Sequence, residues 1–423
     1  MEPEGFTPVL TRLHFSPGLR LSPQTPIVER VRIEVRNPRH WRMLALSALF
    51  FTLSSIIVRF RRKLTSSHLV VLYGATFRPT LDHIFREAAA TQESPLQFVY
   101  TSFDEAYLKK LEAHPPEGAI SARPDTFRGA LTLASAKVAI LADRPRTMTI
   151  LRKLAGLFFI DVWHGVSFKG IKRPGFLRHY DEVWVASDFL KDLYVTHCKI
   201  PAERVVAIGY SPFDDISKPP PSRERLLEAL DLPRESGPII GVAATWNEKK
   251  PSDAVPGISN LGPESLGKLS AFALENHCSF VFRNHLISGA QNTTYPSLYF
   301  RPQSNHPSPT EFLRISDILI TDWSSLAFDF LHTHRPLLFL DSPVSYPRRF
   351  LIGPEHRPGP KIRHVDGLLN HLGELLHSPS ILETEFGKQS TELLNRVSPP
   401  EIRGKVGKVQ VERLSRICAT VSP

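Results

Sequence analysis

The chain has only three cysteines in 423 residues, Cys198, Cys278 and Cys418, and no two are spaced as CxxC. That pattern suggests neither a zinc site nor a disulfide framework and makes a reducing compartment the default. No GxxxxGK[ST] loop occurs, and no GxGxxG follows the first apolar strand. Those absences argue against a kinase-like NTPase and an ordinary NAD enzyme. Zinc-finger, RRM and double-stranded-RNA signatures are missing, as is any interleaving of aromatic and basic residues, so nucleic acid is not an expected partner. A typical signal peptide is also lacking, because the first apolar run starts only near residue 43.

What is present is unevenly spread. Of the net charge of +10, residues 1–63 supply +7, with eleven Arg or Lys against four Asp or Glu. The stretch 43–58 carries no charge and is followed by Arg59, Arg61, Arg62 and Lys63. As a helix it rises about 24 Å, short of the roughly 30 Å of a bilayer's hydrocarbon core. It reads as a helix lying on or dipping into a membrane, basic flank at the anionic headgroups, as an ordinary packed helix, or, least favoured by its length, as a true span.

From residue 69 the pattern changes to short apolar strands alternating with helix-length stretches. Strands are predicted at 69–74, 96–100, 137–141, 157–161, 182–186 and 205–208, with helices at 81–91 and 188–196. A proline-rich bend and a short helix at 223–230 mark a boundary within 212–237, after which strands are expected at 239–243, 280–283, 318–321 and 337–340. The polar stretch 249–263 reads as a loop, and a last helix is expected over 401–418. The predicted class is α/β, two tandem Rossmann-like domains with an N-terminal basic and hydrophobic extension. The expected divisions are 1–65 for that arm, 66–215 for an acceptor-side domain, 236–392 for a nucleotide-donor domain and 393–423 for a helical tail.

Three clusters stand where such strands would deliver side chains to a cleft. Asp161-Val162-Trp163-His164-Gly165 follows an apolar run. His164 there either accepts the proton of an attacking hydroxyl or caps a strand, and Gly165 leaves room for a ligand at the backbone. Arg283-Asn284-His285 suits a pyrophosphate, although a surface turn would look similar. In Thr321-Asp322-Trp323-Ser324-Ser325 a strand ends at paired serines that open a helix, which forms a phosphate cradle or a simple cap. Asp322 and Asp329 either orient that turn or stabilise the helix start.

These segments together resemble the CDP-glycerol glycerophosphotransferase family, the teichoic acid primases and polymerases of bacterial cell walls. The likeness rests on the Trp-His-Gly of 163–165, the Arg-x-His of 283–285 and the run Ser316-Asp317 through Asp329-Phe330, and it spans roughly residues 66–390. It implies a glycosyltransferase-B-like fold and transfer of a polyol phosphate, glycerol phosphate first, from CDP-glycerol or CDP-ribitol with release of CMP. The acceptor would be a lipid-linked glycan or polyol phosphate, at the cytoplasmic face of an anionic membrane. It further implies His164 and His285 as catalytic, with Gly165, Thr245, Arg283, Thr321, Asp322, Ser324 and Ser325 holding the donor. No cofactor is implied; Mg²⁺ is not expected as a bound ion. A nucleotide-sugar glycosyltransferase on the same plan and an inactive scaffold are the alternatives. Three departures stand out: Phe213 where the family has an arginine, Ala244 where it has a proline, and Leu286 after the second histidine.

Overall fold

A computed structural model of the chain describes residues 38–60, 66–74, 79–91, 94–162, 165, 166, 168, 170, 171, 174–243, 263–283, 295–301, 309–341, 351–378 and 385–420. The first sheet contains β1 (Ser66–Tyr73), β2 (Gln97–Thr101), β3 (Ile120–Ser121), β4 (Ala136–Leu141), β5 (Phe158–Asp161), β6 (Glu182–Val185) and β7 (Val205–Ala207). Its order is β3-β2-β1-β4-β5-β6-β7, and every pairing is parallel. Val71 lies opposite Val99 on one side and Ala139 on the other. Strands flanked by helices on both faces must be apolar throughout rather than alternately. That is why Val70, Val71, Leu72 and Val138 to Leu141 are all buried.

The second sheet contains β8 (Ile239–Ala243), β9 (Ser279–Phe282), β10 (Leu298–Phe300), β11 (Ile318–Thr321), β12 (Leu337–Leu340) and β13 (Lys361–Ile362). Its order is β10-β9-β8-β11-β12-β13, again parallel. The strand order reverses between β1 and β4 in one sheet and between β8 and β11 in the other. Ligands of such sheets bind beyond the strand C-termini at that reversal. The expected pair of tandem Rossmann-like domains is therefore what the chain forms.

Between the sheets the helix Pro212–Ser217 leads to the helix Arg223–Ala229. Arg223 sits 3.3 Å from Asp317, whose carboxylate accepts the Ile239 N–H at 2.8 Å, tying this second helix to the start of the second sheet. The expected loop at 249–263 lies outside the described residues except Pro263, which opens the helix Pro263–Glu275.

The C-terminal segment is not a free tail. Its last helix is Val406–Thr420 rather than 401–418, because residues 400–402 form a separate turn and Gly404 takes a left-handed φ of 71°. Asp214 caps the new start, accepting from Gly404 N at 2.7 Å and Gly407 N at 3.1 Å. Val411, Leu414, Ile417 and Cys418 then enter the core of the first domain with Val70, Leu72 and Ile84. Arg413 makes a bidentate pair with Glu182 on β6, at 2.8 and 2.6 Å.

The apolar stretch 43–58 is part of a 23-residue helix, Pro38–Phe60. It is long and apolar enough to cross a membrane by composition, yet Met43, Phe51 and Val58 pack into the first domain's core. Its side chains do not sort by polarity alone: Ser47, Ser54 and Ser55 are fully buried beside Phe51, while Trp41, Leu49, Leu53, Ile56 and Phe60 are exposed.

Candidate functional site

On the first domain, β5 ends at the buried Asp161, and Val162 N still donates to Leu141 O at 3.0 Å. The chain then leaves the sheet toward the second domain. Trp163 and His164 lie outside the described residues. Gly165 has φ +132°, a conformation side-chain-bearing residues avoid, and a Cβ built there would stand 3.5 Å from the Cβ and Oγ of Ser325. Gly165, the last residue of the first cluster, thus meets Ser325 of the third across the cleft.

Phe168 anchors this meeting. It is fully buried, and its ring centroid lies 4.3 Å from that of Phe328, 5.8 Å from Phe339 and 6.1 Å from Trp323, all in the second domain. Its carbonyl accepts from Leu351 N at 2.9 Å and Ile352 N at 3.3 Å. The Arg357 guanidinium covers the Trp323 ring at 3.0 Å from its centroid and lies 5.4 Å from that of Phe339. Burial lowers the pKa of Arg357 to about 10, which leaves it a cation near neutrality.

On the second domain the predicted residues that are described each have a definite place. Thr321 ends β11 and its hydroxyl donates to Ala243 O at 2.6 Å, tying β11 to β8 at the reversal of strand order. That bond commits its hydroxyl proton to the sheet. Asp322, also buried, accepts from Trp323 N at 2.5 Å, so its carboxylate shapes the turn. Ser324 Oγ accepts from Leu326 N at 3.3 Å. Ser325 opens the helix Leu326–Leu331 without a side-chain cap bond and is the serine beside Gly165. Arg283 follows β9; its N–H donates to Val242 O at 2.9 Å, and burial lowers its pKa to about 10. Burial pushes Asp329 up to about 7, opposed by its own backbone N–H. Thr245 and His285 lie outside the described residues, as do Ala244 and Leu286.

The departure at Phe213 has a structural counterpart. The ring is buried, 4.3 Å from the His332 ring and 5.0 Å from Tyr210. Burial lowers the pKa of His332 to about 3, so it stacks as a neutral ring, with Nδ1 3.1 Å from Ser217 Oγ. Next along, Asp215 lies 3.2 Å from His83 and 3.1 Å from Lys218, which hold its carboxyl well below the usual range. Among the described residues no three His, Cys, Asp or Glu gather as a metal site. Phe168, Arg357 and Gln410 were not singled out from the sequence, because none stands within a motif and their neighbours come from distant segments.

A family model described as CDP-glycerol:poly(glycerophosphate) glycerophosphotransferase matches residues 56–387. The teichoic acid poly(glycerol phosphate) polymerase of Staphylococcus epidermidis is 25% identical over 257 residues, 54% of this chain and 35% of that protein. The teichoic acid poly(ribitol-phosphate) polymerase of Bacillus spizizenii is 26% identical over 212 residues, 46% of this chain and 33% of that protein. The chain thus spans about a third of the length of these relatives. Among solved structures, the wall teichoic acid polymerase TagF superposes with a TM-score of 0.68 at 17% identity, covering 93% of this chain and 98% of that one. A TagF variant soaked with CDPG gives 0.67 at 17% identity, with the same coverage.

Proposed function

The chain belongs to the CDP-glycerol:poly(glycerophosphate) glycerophosphotransferase family, and we propose that it transfers glycerol phosphate from CDP-glycerol to a hydroxyl of a polymeric or lipid-linked cell-envelope acceptor. The observation that carries this reading is the approach of Gly165 to Ser325. It brings Gly165 of one domain against Ser325 of the other, so an acceptor and a donor phosphate bound on opposite sides would meet. The acceptor oxygen forms a bond to the β-phosphorus as the bond to the bridging oxygen breaks, and CMP leaves with that oxygen. His164 takes the hydroxyl proton. Arg283, His285 and the backbone at Ser324-Ser325 offset the charge on the pyrophosphate. Thr245 and Gly165 border the donor, while Thr321 and Asp322 hold the turn. Positioning and preorganised electrostatics supply most of the rate in such transfers.

The same reading has the enzyme work at the cytoplasmic face of the membrane. The exposed row Trp41, Leu49, Leu53, Ile56 and Phe60 supports this, with Arg59, Arg61, Arg62 and Lys63 beside it in sequence. A helix that buries serines and exposes apolar side chains favours an apolar medium on its outer side.

The experiment is CMP release from CDP-glycerol and from CDP-ribitol, each with polyol-phosphate-ended acceptors, for the wild type and His164→Ala. Turnover with CDP-glycerol that vanishes in a variant still binding cytidine nucleotides supports the mechanism. Turnover with CDP-ribitol alone would reassign the donor. Failure of the folded wild type to bind cytidine nucleotides would sink the reading.

A further inference from the structure

Behind Gly165, on the first-domain side of the cleft, lies a small cavity whose lining includes Thr80, Val162, Trp184, Tyr210 and Gln410. The cavity is partly open, and the space left for the centres of water-sized groups is about 20 Å³, enough for one small group such as a hydroxyl. The wall is built from separate parts of the fold. Val162 follows β5, Gly209 follows β7, Thr80 stands in the first turn of the helix Pro79–Ala90, and Gln410 comes from the C-terminal helix. Among the described residues none of the lining side chains is charged.

Two residues of this wall each carry a side-chain oxygen with no hydrogen-bond partner among the described residues, Thr80 Oγ1 and Gln410 Oε1, and both residues are 1% exposed. The orientation of the Gln410 amide is settled by its other end. Nε2 donates to Gly209 O at 3.0 Å, and a carbonyl can only accept, so the amide oxygen is turned away from it. A buried acceptor left bare is costly, and groups of this kind are kept where something binds them.

We propose that this cavity is a hydroxyl pocket for the acceptor, taking one neutral hydroxyl-bearing carbon of its terminal polyol unit. The substrate hydroxyl donates to Gln410 Oε1 and accepts from the Thr80 hydroxyl, while the carbon rests on Val162 and its apolar neighbours. A phosphate finds no cation among the described residues of this wall. An alkyl chain would leave both oxygens bare. Gly165 lines the cavity and also faces Ser325, so a polyol anchored there by one hydroxyl presents the next at the cleft. The inference rests on the phosphotransfer reading above and names the part of the acceptor that the first domain selects.

The test uses two acceptors ended by glycerol phosphate or by the matching 1,3-propanediol phosphate, which keeps the attacking primary hydroxyl and lacks the middle one. Wild-type enzyme should prefer the glycerol end by about tenfold or more in kcat/KM, since a buried polar site rejects an analogue that leaves it unpaired. Thr80→Val and Gln410→Met should each cut that preference to under about threefold, through the acceptor KM, with the KM for CDP-glycerol unchanged. Variants that keep the donor KM and the full preference would overturn the pocket, as would a wild type with no preference, while phosphotransfer itself would stand. If no acceptor releases CMP, the phosphotransfer reading fails, and calorimetric binding of the two acceptors decides the pocket alone. Tighter binding of the glycerol end that Thr80→Val abolishes supports it; equal binding overturns it.

Discussion

Replacing Phe168 by alanine tests the joint between the domains. The side chain is wholly buried, packed by Phe328, Phe339 and Trp323 of the second domain, and it belongs to the loop that carries Gly165. Removing a buried phenyl ring leaves a cavity that rigid neighbours fill only partly, and such a change costs about 3–5 kcal/mol. The upper part of that range is expected, because Arg357 caps the same aromatic group and would face the void. The two backbone bonds from Leu351 and Ile352 to the Phe168 carbonyl remain, so the loop should stay near its place while losing its lock. Urea unfolding followed by tryptophan fluorescence reads the loss, since Trp184 in the first domain and Trp323 at the joint are both buried. If the two domains unfold in separate steps, the loss belongs to the step that exposes Trp323. The rate should fall too, by about tenfold or more, because small misplacements of a catalytic loop are costly. Phe168→Leu keeps most of the volume and should retain most of the stability. A loss below about 1 kcal/mol for Phe168→Ala would refute the packing argument, given the range for buried aromatic deletions.

Asp329 gives a pH test. Its folded pKa, about 7, lies above that of the unfolded chain. The stability linked to it is complete below about pH 4 and is lost as pH rises through 7. Asp329→Asn should therefore gain on the wild type as pH rises from about 4 to 7 in urea titrations; parallel profiles would contradict the burial of the carboxyl. Leu53→Glu together with Phe60→Glu should abolish co-sedimentation with anionic vesicles while leaving the fold intact, because both side chains are exposed. Binding by the variant equal to wild type would remove the helix Pro38–Phe60 from the membrane reading.

Much of the architecture was legible because parallel strands announce themselves as short, wholly apolar runs. The strands at 239–243, 318–321 and 337–340 fall where the residues put them. The edge strands Ile120–Ser121 and Lys361–Ile362 escaped because each is two residues long and partly exposed, so neither has a run to detect. The start of the last helix was misplaced for a different reason. Its cap is Asp214, about 190 positions earlier, and no local pattern around Val406 records that. The site divides in the same way. Gly165, Arg283 and the paired serines sit in compact motifs after apolar strands, whereas Phe168, Arg357, Thr80 and Gln410 acquire meaning only from neighbours that folding brings to them. Phe213 shows the limit of comparison by motif: where an arginine was expected, the residue is part of a buried aromatic stack.

The return of the C-terminal helix also restricts how the two domains can move. The chain crosses between them twice, once after Gly209 and once before Val406, and Asp214 fastens the second crossing to the first. Two crossings pinned side by side act as a door on one hinge line. Swivelling about a single strand of chain is thereby suppressed, and opening and shutting is the motion left. A glycine-rich insertion at 404 would loosen the hinge without touching any residue in the cleft, converting a swing into a wobble.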